Sequence, residues 1–129
     1  MTTEIQMLAW AVALGLAHIL LAAGAATAQR GLRWNAGNRE AALPPLAGMA
    51  GRLERAQRNF LETFPLFAAV ALAVVVAGRA DAHTALGAQI YFWARLAYLP
   101  IYAIGIPYLR SLVWAISAWG LIQVGCGLF

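Results

Sequence analysis

The feature that most constrains this chain is a recurrence of apolar runs, each about twenty residues long, separated by polar connections. A helical run of that length matches the hydrocarbon core of a bilayer, and a helix satisfies its own backbone polar groups where no water is present. Four such runs are predicted, at 5–28, from about 48 to 76, 84–104 and 109–129. Together they use nearly all of the 129 residues, so no room remains for a soluble domain. The expectation is one all-α membrane domain spanning 1–129, a four-transmembrane-helix bundle. A composition 63% hydrophobic and 11% charged excludes an ordinary soluble domain of this size and places the function in the bilayer or at its edge. The first run could pass for a signal peptide, because "ATA" at 26–28 has an A-x-A form. Its leading residues carry Glu4 and no positive charge, and the run exceeds a signal's core, so it is read as a retained helix.

All nine basic residues are arginine. Six of them (Arg30, Arg33, Arg39, Arg52, Arg55 and Arg58) fall between the first two runs. Beside membrane helices such a cluster reads as a cytoplasmic loop under the positive-inside rule, and no nucleic-acid partner is expected. Arg110 lies in the third connection and only Arg79 in the second, which predicts both termini outward and the first and third connections cytoplasmic. The first connection, rich in Gly and containing Pro44 and Pro45, reads as turn and loop. Pro65 and Pro100 stand inside predicted helices, and Pro65 should bend its helix by leaving the Leu61 carbonyl without a donor.

Polar residues inside lipid-bound helices carry the functional argument. In "RAQRNFLETFPLF", Arg55, Asn59 and Glu62 fall within about 60° of one another on a helix, with Arg58 on the flank. Snorkelling to the headgroups accounts for Arg52 and Arg58. It does not account for Glu62, a carboxylate beside "FPLFAAVALAVVV" that is costly without a partner or ligand. The third helix places Tyr91, Arg95, Tyr98 and Tyr102 on one face over about 16 Å, too deep for an aromatic belt at one level and shaped like a cleft wall. Arg95, flanked by apolar residues, is read as an interhelical clamp and structural ion-pair candidate, with Glu62 as partner. Guanidinium groups, an amide, a carboxylate and phenols together suit a small zwitterion bearing more than one carboxylate. His18 is read as a packing residue or an interhelical hydrogen bond, and Cys126 as inert packing. His83 and Asp81 are too few for a metal site. Trp10, Trp34, Trp93, Trp114 and Trp119 are read as interface anchors and lipid-facing bulk.

"ERAQRNFLETFPLF" resembles the second-helix signature of the MAPEG family, membrane-associated proteins in eicosanoid and glutathione metabolism, and "ARLAYLPIYAIGIPYLR" is similar to that family's third-helix pattern. In length and layout the likeness covers the whole chain and points to the small bacterial members. It implies a homotrimer in the bacterial inner membrane, with glutathione as cosubstrate, held at the cytoplasmic side between neighbouring subunits. Carried over by motif, Arg55, Asn59 and Glu62 would hold the peptide's charged ends, with Gln57 nearby and Tyr98 and Tyr102 lining the same site. Arg110 matches the arginine that stabilises the glutathione thiolate and is the catalytic candidate. Arg30 and Arg33 occupy the loop from which some members contribute another arginine. The implied activity is a microsomal-type glutathione transferase or peroxidase acting on a lipophilic acceptor that approaches through the bilayer; no metal is implied. Thr63 stands where the leukotriene-forming member has a tyrosine, and Arg110 follows Tyr102 by one residue more than in that member. Two rivals stay open: a non-catalytic protein of the same fold that binds lipid or a partner, and a small multidrug exporter, which would ordinarily carry a carboxylate deep in its first helix.

Overall fold

The computed structural model describes residues 1–129 as four long helices and one short one. The helices are α1 (Thr3–Arg30), α2 (Leu32–Ala36), α3 (Gly48–Val76), α4 (Ala82–Ile104) and α5 (Pro107–Cys126). Local chemistry explains each boundary. The Thr2 hydroxyl accepts from the Ile5 amide to start α1, and Gly31, at φ 95°, ends it. Asp81 and Thr84 form a reciprocal capping box that starts α4 two residues before the expected Thr84. Gly105, left-handed at φ 90°, ends α4, and Pro107 opens α5 at the position where a missing N–H costs nothing. Neither Pro65 nor Pro100 ends its helix. The connection expected to be all loop contains α2, whose Trp34 ring is flanked by Arg30 at 4.9 Å and Arg39 at 4.6 Å.

Three helices, α1, α3 and α5, are long and apolar enough to cross a membrane. The chain is an integral membrane protein in contact with lipid. The fourth long helix, α4, is 23 residues but carries the buried Arg95 and three tyrosines, and it packs against the other three long helices. Successive long helices run up and down, so the end of α1, the start of α3, the end of α4 and the start of α5 share one end of the bundle, called the basic end below. Bonds from Arg52 and Arg55 to the last turn of α4 fix that arrangement.

The α4–α5 contact is the most extensive. At Gly87 and Gly120 the two backbones come close together. A Cβ on Gly120 would sit 2.6 Å from the Gly87 carbonyl oxygen, and one on Gly87 would sit 2.8 Å from that of Gly120. Small residues of this kind let backbones touch in lipid, where close packing replaces the hydrophobic effect between helices. In the centre, Phe60, Phe67, Ala71, Val74 and Tyr91 are fully buried, whereas Leu20, Trp93 and Trp119 point outward at 62%, 59% and 62% exposure. That inside-out distribution is expected where the surroundings are hydrocarbon. Cys126, expected to be packed, is exposed at the end of α5.

A basic, phenol-lined cleft at one end of the bundle

Three helices meet at the basic end around a cavity of about 310 Å³ lined by Asn59 from α3, Tyr98 and Tyr102 from α4, and Arg110, Ser111 and Trp114 from α5. The two tyrosine rings stand edge to face, with centroids 5.5 Å apart. The Arg110 guanidinium lies 4.7 Å from the Tyr102 ring centroid, a cation–π contact that holds its head at the cleft. Arg55 reaches the rim, where its Nε donates to the Tyr102 hydroxyl at 3.2 Å. Arg52 donates to the Ala103 carbonyl at 2.8 Å, and its stem packs beside Gly105, which ties the start of α3 to the turn that precedes Arg110.

Below the cleft lies Arg95, fully buried. Its Nη1 donates to the Asn59 Oδ1 at 2.8 Å, and its guanidinium lies 4.3 Å from the Tyr98 ring centroid and 5.4 Å from that of Phe60. The expected ion pair with Glu62 is absent: Arg95 is a clamp, but the group it holds is a neutral amide. The one ion pair in the chain joins Arg58 to Glu54 on the surface at 3.5 Å. Glu62 is exposed on α3. Three residues beyond Asn59, it is turned about 60° from that amide and about 20° from Arg55 around the helix. Tyr91, grouped with the cleft on spacing, is instead fully buried, stacked on Phe67 at 4.1 Å and paired hydroxyl to hydroxyl with Thr63 at 3.0 Å. His18 is buried against the Phe60 ring, with ring centroids 4.9 Å apart, and has no hydrogen-bond partner.

The remaining candidates lie elsewhere. Gln57 precedes Asn59 by two residues and therefore points about 200° around α3. It lines a second cavity of about 340 Å³ with Arg30, Trp34, Asn35, Arg39 and Glu54. Arg30 also donates to the Pro44 carbonyl at 3.0 Å. Arg33 is exposed on α2. One chain thus gathers Arg55, Asn59, Tyr98, Tyr102 and Arg110 at one cleft, and Arg30 with Gln57 at another. Ser111 and Trp114 were missed; their signal was helical spacing from Arg110, at i+1 and i+4. The largest concavity, about 530 Å³ between α1 and α4, is lined only by apolar residues such as Trp10, Phe92 and Trp93. It offers no polar group to orient a polar ligand.

Chemically, the cleft offers guanidinium, amide and phenol donors with no carboxylate in its lining, so it suits an anion or a group about to become one. The fold and the cleft define a class: an all-helical integral membrane protein with a basic polar site at one end of its bundle. The chain belongs to the MAPEG family, whose sequence profile matches residues 7–126. Membership associates it with glutathione-related or eicosanoid-type function in membranes. No curated protein matches the chain.

Proposed function

We propose that the protein binds glutathione at the basic end and transfers it to, or uses it to reduce, lipophilic electrophiles or hydroperoxides, as a four-span homotrimer in the bacterial inner membrane. The observation that carries this reading is the division of the candidate residues. Asn59 and Gln57 face opposite ways on α3, so a ligand touching both needs a neighbouring copy to bring the Arg30–Gln57 face against the cleft. In that arrangement both termini face outward and the basic end is cytoplasmic, as the arginine distribution favours. The α4 helix, too polar alone, crosses with Arg95 and its phenols turned away from lipid.

Arg110 is the thiolate-stabilising group in this reading. A free thiol has a pKa near ~8.5, and a fixed guanidinium beside the sulfur raises the thiolate fraction at neutral pH. The proton leaves to water at the open cleft mouth, and the thiolate attacks the electrophilic carbon of an acceptor arriving along the apolar face of α5 beside Trp114, displacing its leaving group or adding across its double bond with a proton taken from water. With a hydroperoxide it attacks the terminal oxygen, the O–O bond breaks to release the alcohol, and a second glutathione closes the disulfide and releases water. Arg55 and Glu62 meet the peptide's carboxylate and ammonium ends. Equilibrium binding of labelled glutathione to the detergent-purified protein tests the reading, with Arg55→Ala and Glu62→Gln alongside. Saturable binding weakened about tenfold by each change is expected, the size of one lost charge-assisted contact. Absence of binding by the folded wild type would overturn it and leave a non-catalytic member of the fold.

A further inference from the structure

We propose that Arg95 is a positioning residue that fixes Asn59 as a one-way hydrogen-bond donor into the cleft, and that Arg95 lacks a carboxylate partner because a carboxylate at position 59 would close the cleft to anions. The inference rests on the glutathione reading for its ligand, and one arm of its test does not.

The first step is forced by donor chemistry. A guanidinium has no acceptor, so the Asn59 atom that meets Arg95 Nη1 at 2.8 Å must be the amide oxygen. The amide NH₂ is then turned to the opposite side, where Asn59 lines the cleft with Tyr98, Tyr102 and Arg110. It makes no bond to another protein group there. Arg95 cannot swing aside to release the amide, because its guanidinium sits between the Phe60 and Tyr98 rings. Asn59 therefore presents donors only, and the ligand group opposite it must be a carbonyl, a carboxylate or a thiolate.

Arg95 is fully buried, its Nε and Nη2 have no protein acceptor, and no carboxylate lies within ion-pair distance. A buried cation without a counterion is among the most expensive features a membrane helix carries. Aspartate has nearly the same shape as asparagine and would supply the missing charge in place. Its second oxygen, however, would face the cleft as a negative acceptor and repel the ligand. Asparagine at this position forgoes stability to keep a donor face, a local violation of good packing chemistry of the kind found at functional sites.

The test uses the full-length protein in detergent with Asn59→Asp, Arg95→Lys and Arg95→Met, read by thermal unfolding and by glutathione binding. Asn59→Asp should raise the unfolding midpoint and weaken glutathione binding by about tenfold, the loss expected when one charge-assisted donor becomes an acceptor. Arg95→Lys, which keeps a donor, should bind as wild type does, whereas Arg95→Met frees the amide to turn and should bind less well. An Asn59→Asp protein that binds glutathione as tightly as wild type, or whose midpoint is unchanged or lowered, would overturn the inference. The midpoint arm involves no ligand, so a wild type that fails to bind glutathione would sink the functional reading alone.

Discussion

The two ends of the bundle treat their polar groups in opposite ways. At the end away from the cleft, buried Glu4 accepts from the Thr84 hydroxyl, Thr84 and Asp81 cap α4 between them, Gln123 donates to the His83 carbonyl at 2.9 Å, and Arg79 donates to the Leu128 carbonyl at 3.0 Å. Nearly every polar group there is spent on another protein group. At the basic end, Arg55, Arg95 and Arg110 make no ion pair, and the cleft they border carries donors in excess. Saturated polar groups hold helices together; a surplus of one sign is a site waiting for its complement.

Three substitutions press on that contrast. The largest effect is expected from Arg110→Ala, which should leave the fold intact yet lower the ultraviolet absorbance of bound thiolate and reduce turnover about 100-fold, the usual loss when one preorganised stabiliser of a developing anion is removed. Equal turnover in the variant would mean that another arginine activates the thiol. Thr84→Val strips a buried carboxylate of its donor at the opposite end. It should lower unfolding stability by ~1–3 kcal/mol while glutathione affinity stays unchanged. If binding falls in step with stability, the two ends are coupled and the division drawn above fails. The smallest effect concerns acid. The Thr84 amide, with help from its hydroxyl, holds the Asp81 carboxyl below its ordinary value. Because the folded value is depressed, its contribution to stability is fully present above the unfolded carboxylate pKa of ~3.9 and is lost as pH falls through the folded value. Unfolding midpoints of wild type and Asp81→Ala should therefore differ at neutral pH and converge in acid; a constant gap would show that the box works without its charge.

The four long helices and their approximate placement were legible in the sequence because lipid imposes a length and a polarity on a crossing helix, and the run read from about 48 to about 76 coincides with α3. The α2 turn was hidden by the glycines and prolines around it. Helical spacing placed Tyr98 and Tyr102 together correctly, but it could not separate them from Tyr91, because spacing gives direction and not what stands opposite. Thr63 and Phe67 claim Tyr91. The same blindness assigned Arg95 to Glu62: attraction between opposite charges suggested the pair, while the crossing of α3 and α4 brought Asn59 instead. Gln57 and Asn59 are neighbours in the chain and strangers in space, and only the helix turn between them reveals two cavities.

At the Gly87–Gly120 crossing, the nearest atoms that a new methyl would meet are backbone, which cannot step aside as the end of a side chain can. A side chain at 120 has to push α5 away from α4, and Arg110, Ser111 and Trp114 ride on that helix about 9 to 15 Å away. The chemistry of the cleft and the grip of two helices are thus inherited as a single trait. A lineage drifting at either glycine would have to remake its cleft in the same step.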